Sequence, residues 1–386
     1  MANPHQVGFV EDTKPLRVVA MGGGTGLSTL LKGLKRFVAG PGEAKPAGAP
    51  AVIGELSAVV TVTDDGGSSG RLRREFNILP PGDIRRCIVA LSEDEALLAR
   101  LFQYRFSGGL GLEGHTFGNL FVTALTALTG DFAEAVKLSS EVLATRGHIF
   151  PATSANVVLE AVMADGSRVQ GETEITSRAG RIAELRLVPA DARPLPLVLE
   201  AIAQADLITV GPGSLFTSLI TNLLVPGIAE AIASSRAIKV FICNLMTERN
   251  ESAGLTAASH LGAIYRHARR RIFDFALLNR TPFSEQLKSK CTLEGSVQIF
   301  NDLAEIERLG VRPITGNYLE ETTAGVRHEC GRLARDLLEL LGEARRLKSR
   351  HLPLKAPGGP PAEPLAYSND WRRRLREPAR PWRTAD

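Results

Sequence analysis

The run Leu16-Arg-Val-Val-Ala-Met21, followed by Gly22-Gly-Gly-Thr-Gly26 and then by Leu27-Ser-Thr-Leu-Leu-Lys-Gly-Leu-Lys35, decides the fold. The first part is apolar apart from Arg17 and has the length of a strand. After the glycine turn, Leu27, Leu30, Leu31 and Leu34 recur with the 3.6-residue period of a helix. At such a strand-to-helix junction the first helical N–H groups lack partners and face outward with the positive end of the helix dipole, so they can receive a phosphate. Glycines let the backbone approach the ligand closely. Gly22, Gly23, Gly24, Thr25 and Gly26 are therefore candidate ligand contacts. The turn is neither a full Gly-x-Gly-x-x-Gly, which needs glycine at Thr29, nor a Gly-Lys-Ser/Thr P-loop, and a tight turn without a ligand is the competing reading.

Moving outward, a Gly/Pro/Ala connection, Ala39 to Pro50, leads to a second buried-looking strand over Leu56–Thr63. That strand runs directly into Asp64-Asp65-Gly-Gly-Ser-Ser-Gly70, on the edge where open α/β sheets bind ligands. Two adjacent carboxylates could hold a ribose hydroxyl, a divalent metal or a proton in transfer. Magnesium takes one or two carboxylates together with phosphate oxygens, which makes Asp64 and Asp65 candidate metal ligands. The alternative is an Asp-Gly turn with solvated side chains. Ser68, Ser69 and Arg71 extend the segment with hydroxyls and a cation suited to an anion. Pro80-Pro81-Gly82-Asp83 opens a helix with Asp83 as its N-cap. Further helical stretches lie within 93–106, from the His115–Asn119 region through Leu128, and over Glu134–Ala144; Asn119 is a further candidate contact, with a plain cap as the alternative.

From Asn156 to Pro189 the pattern changes to short β runs, with Asp165-Gly166 as the turn between strands at Val157–Met163 and Arg168–Ile175. The α/β alternation resumes with Asp206-Leu-Ile-Thr-Val210. This strand enters Gly211-Pro-Gly-Ser214, a second strand-to-helix turn that makes Gly211, Gly213 and Ser214 candidate contacts. Asn244 and Thr247 follow the strand Lys239–Cys243 on the same edge. More strands are expected at Phe273–Leu277 and Arg312–Thr315. The alternation predicts a Rossmann-like α/β fold: a mostly parallel sheet with helices on both faces and a small β-hairpin excursion at about 156–189. We expect a flexible extension over 1–15, one nucleotide-binding domain over 16–350, and a disordered Pro/Arg-rich tail over 351–386.

Composition narrows the class. Of 386 residues 44% are apolar and 23% charged, the profile of an ordinary globular protein. Apolar runs stop well short of a membrane span, and the first fifteen residues are too polar for a signal-peptide core, so a cytoplasmic protein is expected. Cys87, Cys243, Cys291 and Cys330 form no Cys-x-x-Cys pair and suggest neither zinc nor redox chemistry. The formal charge of +4 owes much to Arg372-Arg-Arg-Leu-Arg376 in the tail. Without the tail the body is nearly neutral, so nucleic acid is not expected as a partner.

Taken together, Met21-Gly-Gly-Gly-Thr-Gly-Leu-Ser, Val62-Thr-Asp-Asp-Gly-Gly-Ser-Ser-Gly-Arg-Leu-Arg, Pro81-Gly-Asp-Ile-Arg, Gly114-His-Thr-Phe-Gly-Asn-Leu, Gly211-Pro-Gly-Ser-Leu-Phe-Thr-Ser and Gly325-Val-Arg-His328 resemble the YvcK-like gluconeogenesis-factor family. That family is related to the CofD-like 2-phospho-L-lactate transferases. The resemblance implies a nucleotide diphosphate near Gly22–Gly26 and Gly211–Ser214, with Arg327 as a further phosphate or sugar contact. For the gluconeogenesis factors it implies a UDP-sugar such as UDP-N-acetylglucosamine and a regulatory role in envelope synthesis and cell shape on gluconeogenic carbon sources. Regulatory protein partners and a homo-oligomer go with that role. For the transferases it implies magnesium on Asp64 or Asp65 and transfer of a phospholactyl-type group, with no catalytic residue assigned. One departure is Cys291 in Lys290-Cys-Thr-Leu-Glu-Gly295, where the family often carries tyrosine. An NAD-dependent oxidoreductase fits less well, because it needs the full glycine fingerprint and an acidic residue about 20 positions beyond it.

Overall fold

The computed structural model describes residues 14–349, apart from 41, 94–95 and 323–324. The terminal segments 1–13 and 351–386 expected to be flexible lie outside the described residues.

Seven strands form one parallel sheet: β1 (Leu16–Gly22), β2 (Ile53–Val60), β3 (His148–Pro151), β7 (Leu207–Val210), β8 (Ile238–Ile242), β9 (Phe275–Asn279) and β10 (Arg312–Gly316). Their order is β10-β9-β8-β7-β1-β2-β3. Each half winds outward from the centre, so the chain reverses direction between β1 and β7. The crevice beyond the carboxyl ends of those two strands is the place where open α/β sheets take ligands. All residues of β7 and β9 are buried, as they are in parallel strands covered on both faces. In β1 only Arg17 is exposed, so the near-continuous apolar run that suggested a strand is the run that fills the core.

Helices flank the sheet. After β1 comes α1 (Gly24–Lys35), which buries Leu27, Leu30, Leu31 and Leu34, and whose last turn carries Lys32 and Lys35 where cations complement the dipole. Between β2 and β3 lie α2 (Gly67–Phe76), α3 (Gly82–Leu91), α4 (Ala96–Gln103), α5 (Phe117–Thr129) and α6 (Phe132–Val142). An amphipathic helix, Cys330–Ser349, packs along α1. Among the described residues no single helix is long and apolar enough to cross a membrane.

The excursion is a three-stranded antiparallel sheet, β4 (Val158–Met163), β5 (Arg168–Gln170) and β6 (Ile182–Val188), in the order β5-β4-β6. The expected strand from Arg168 ends at Gln170. Gly171, at φ +96°, turns the chain into a short helix, α7 (Glu172–Ser177), in place of the rest of that strand. A final hairpin, β11 (Leu319–Thr322) with β12 (Gly325–His328), precedes the last helix. Two further expectations shift. The second strand ends at Val60, leaving 61–66 as an irregular segment that reaches over the sheet edge. Pro81, not Asp83, occupies the N-cap of α3; Asp83 sits inside the first turn, with its carboxylate turned toward the loop after β1.

Candidate functional site

Two glycine turns meet at the reversal point. The first, after β1, leads through Gly23 into α1. The second, Gly211–Ser214, leads into a π-helical turn, Leu215–Ile220, of the kind found frequently at functional sites. The turns touch: a Cβ at Gly26 would overlap the Pro212 carbonyl, and one at Gly23 would stand 2.6 Å from Thr61 Cγ2 and 2.7 Å from Asp83 Oδ2. Glycine at 26 is thus required by the backbone of the second turn, and glycine at 23 by the side chains of Thr61 and Asp83 packed against it. Gly24 differs, since its φ is +60° and nothing lies within 4 Å of a Cβ there. Its lack of a side chain leaves open space at the helix start.

That space is a cavity of about 490 Å³. Gly23, Gly24, Thr25, Gly26, Asp64, Gly213, Ser214, Asn244 and Arg327 line it, so these residues, expected from the sequence to touch a ligand, are brought together. The Gly24 amide donates to Asp83 Oδ2 at 2.7 Å. The next two amides, of Thr25 and Gly26, meet no acceptor among the described residues. They are the open donors of a helix N-terminus, placed to bind an anion. Across the cavity, Asn244 clamps Gly213 from both sides, accepting from its amide at 3.1 Å and donating to its carbonyl at 2.8 Å.

Carboxylates ring the same space. Asp64 Oδ1 accepts from the Gly66 amide at 3.0 Å. Asp83 is buried and contacts Arg86; burial pushes its carboxyl above the ordinary range, Arg86 opposes this, and the charge of Asp64 adds to it. Glu172, delivered by α7, accepts from Thr63 Oγ1 at 3.1 Å, and burial, then the charges of Asp83 and Asp64, hold it well above the usual carboxylate range. Glu248 accepts from Ser214 Oγ at 2.9 Å and is raised by burial. Behind it, Glu251 accepts from the Phe216 amide at 3.2 Å and from Thr217 Oγ1 at 2.7 Å. Burial, with the charge of Glu248, pushes Glu251 up to about 7. Arg73, buried under the loop and bonded to Thr63, Asn156 and Val157, supplies positive charge next to Asp64, Asp65 and Glu172.

Other residues expected at the site lie elsewhere. Gly22 ends β1, and its carbonyl is taken by Thr61 N and Asn222 Nδ2. Gly211 makes the positive-φ turn under the cavity, with no room for a Cβ beside the Ile242 carbonyl. Asp65 turns away from Asp64 and accepts from Thr173 N at 2.9 Å and Thr173 Oγ1 at 2.6 Å, tying the loop to α7. Ser68 bonds His115 Nδ1 and Asn119 Nδ2, and Asn119 Oδ1 takes Arg85 Nε, so these side chains brace α2, α3 and α5 against one another. Ser69 is buried against Gly82, and Arg71 donates to the Glu113 carbonyl. Thr247 is buried and exchanges hydrogen bonds with Val297. Cys291 packs beside Leu245, Phe283 and Leu287, behind the cavity wall.

Arg86, Glu172 and Glu248, which the sequence does not mark as site residues, also line the cavity, as does Asp83, expected only as a helix cap. Pro81-Gly-Asp-Ile-Arg was a usable signal for Asp83. Glu172 offered none, because nothing local says that the excursion folds back over the sheet edge.

As a metal site, the oxygen-only donor set has the chemistry magnesium prefers. The two aspartates do not converge, however, and among the described residues no three metal-ligating side chains gather. Asp64, with Glu172 electrostatically coupled to it, is the pair that could share a cation with phosphate oxygens.

Comparison with known proteins agrees with this architecture. The profile of the family described as 2-phospho-L-lactate transferase CofD matches residues 18–319. A gluconeogenesis factor of Halalkalibacterium halodurans is 44% identical over 84% of this chain and 97% of its own length. Another, of Bacillus subtilis, is 42% identical over 85% of this chain and 98% of its own. A crystal structure of a Bacillus halodurans protein, 45% identical, superposes with a TM-score of 0.79 over 84% of this chain and all of that one. With the matched span running from β1 to the start of β11 and so including both glycine turns, the chain belongs to the CofD family, among relatives called gluconeogenesis factors.

Proposed function

We propose that this protein binds a nucleotide sugar of the UDP-N-acetylglucosamine type and acts as a regulator that couples central carbon metabolism to envelope synthesis and cell shape on gluconeogenic carbon sources. One observation carries the ligand class: the same cavity holds open helix-terminal amides at Thr25 and Gly26 together with the carboxyl groups of Asp64, Glu172 and Glu248. A diphosphate suits the amides. Carboxyl groups accept hydrogen bonds from hydroxyls, and a protonated one can also donate, so Asp64, Glu172 and Glu248 suit a hydroxyl-rich sugar. Arg327 at the rim adds a cation for the phosphates. The regulatory half of the reading is supported by the names of the relatives, which are called gluconeogenesis factors.

A second reading, a magnesium-dependent transferase moving a phospholactyl-type group from a nucleotide diphosphate donor, is favoured by the family description and by the coupling of Asp64 with Glu172. There the metal would neutralise the departing diphosphate while Asp64 and Glu172 fix its place. Calorimetric titration with UDP-N-acetylglucosamine, GDP and NAD, each with magnesium and with chelator, separates the readings. Binding of the UDP-sugar in chelator, without turnover, is the expected result. Binding of GDP alone, and only with magnesium, would replace the regulator with the transferase.

A further inference from the structure

The largest cavity among those described, about 1010 Å³, lies away from the glycine turns, against the outer edge of the sheet. Its floor is formed by β3, the last strand in the sheet order, and its walls by α6 and the helix Pro196–Gln204. Apolar groups are open in it: Leu197 is 51% exposed, beside Phe150, Leu195 and Ala201. Its rim is acidic. Seven carboxylates, among them Glu55, Glu93, Glu141 and Glu200, stand against two cations, Lys137 and Arg146. Arg146 is engaged by Glu43 and Glu93, Lys137 by Glu134, and Glu55 by Arg17 from outside the groove, so the rim keeps a net negative charge and Glu141 and Glu200 carry no ion pair among the described residues. An unpaired sheet edge beside an open apolar floor is a surface that proteins usually cover.

We propose that this groove is the docking site of the chain's own segment 371–383, Trp-Arg-Arg-Arg-Leu-Arg-Glu-Pro-Ala-Arg-Pro-Trp-Arg. Charge complementarity is the first argument. The segment carries six arginines and one glutamate, and its tryptophans supply apolar bulk for the floor. Where the described chain ends is the second. The helix Cys330–Ser349 delivers Arg345 to Asp206 at the lower end of β7. Asp206 also accepts from the Arg17 amide at 2.8 Å, and Arg17 pairs with Glu55, at 3.4 Å, on the groove's own rim. Arg345, one turn before the end of the helix, is thus linked to the groove's rim through three polar contacts. The residues between 349 and 371 can span up to roughly 70 Å if extended and about 25 Å as a coil, so reach is sufficient. A tether of that length gives an effective concentration in the millimolar range, at which even a weak contact is occupied.

Trp371 and Trp382 are the only tryptophans in the chain, so tryptophan emission reports the segment alone. In the full-length protein at low salt the emission is expected to be blue-shifted relative to a free peptide of sequence 371–383. Glu141→Lys combined with Glu200→Lys should shift it to the peptide's position, as should high salt. A charge-matched pair on exposed sites away from the groove, Glu285→Lys with Glu305→Lys, should leave it in place. Tryptic cleavage after Arg372–Arg376, slow at low salt and fast at high salt in the parent protein, tests the same contact without any substitution. Emission already at the peptide's position, or insensitive to the groove pair, overturns the proposal. A blue shift that disappears on dilution also overturns it, because the segment would then sit on a second copy.

Discussion

The two glycine turns look alike in the sequence, each a strand followed by glycines and a helix, yet they present opposite electrostatics. After β1, the helix starts with the amides of Thr25 and Gly26 open to the cavity. After β7, the corresponding positions are already occupied from within: Glu251 takes the Phe216 amide and the Thr217 hydroxyl, and Glu248 takes Ser214. The first turn is built to receive an external anion; the second carries its own. A helix N-terminus counts as an anion site only while its donors are unspent, and nothing local in Gly211-Pro-Gly-Ser214 reveals that a loop some 35 residues later supplies the carboxylate.

Substitutions at the first turn should show the largest effect. Gly26→Val drives a side chain into the Pro212 carbonyl, and since backbone cannot yield as a side chain can, it should destabilise the fold by at least about 3 kcal/mol, read as a large fall in Tm. Gly24→Val meets no neighbour and loses only the left-handed backbone preference, about 1–2 kcal/mol. It should stay folded by circular dichroism but lose nucleotide affinity, because its side chain fills the space before the open amides. Equal stability for the two variants would break the distinction between a glycine needed for packing and one needed for access.

The internal anion of the second turn should show itself in pH. The folded pKa of Glu251, about 7, lies above its ordinary value of 4.5. The folded state therefore binds this proton more tightly than the unfolded state, so stability is greatest below the unfolded pKa and falls as pH rises through about 7. The loss amounts to at most about 3 kcal/mol. Glu251→Gln keeps the shape, can accept from Phe216 and can donate to a turned Thr217 hydroxyl, so it should flatten this dependence, raising Tm at pH 8 more than at pH 5. A Tm difference independent of pH would show that the carboxyl does not titrate in this range.

The adjacent aspartates extend the same contrast. Asp64→Asn should weaken ligand binding ten- to a hundredfold, the equivalent of a charge-assisted bond of roughly 1.5–3 kcal/mol. Asp65→Asn should leave affinity alone and cost about 1 kcal/mol of stability through Thr173. The smallest effect is expected at Arg71, whose guanidinium is spent on the Glu113 carbonyl; Arg71→Ala should bind as the parent does in the same titration. A loss of affinity there would move the ligand toward α2.

Local chemistry by itself determined the strands and first turns of this protein. β1, β7, β8 and β9 announce themselves as apolar runs because parallel strands are buried on both faces, and α1 by its leucine period, because one face of it must meet the core. Glycine at positions 23, 24 and 26 was equally visible, although the reasons proved to be different for each. What only the tertiary structure decided was which polar groups face one another. β3, four residues ending in proline, is a strand because β2 offers it an edge. Asp64 and Asp65 are neighbours in the chain, yet one lines the cavity and the other is held by Thr173, because successive residues of an extended segment point to opposite sides. Glu172 and Glu248 reach the cavity from segments more than 100 residues beyond the first turn, brought there by the return of the chain across the sheet edge. Hydrophobic periodicity is a local property and can be read locally, whereas a carboxylate's partner is fixed by long-range packing, which leaves no periodic trace in the sequence.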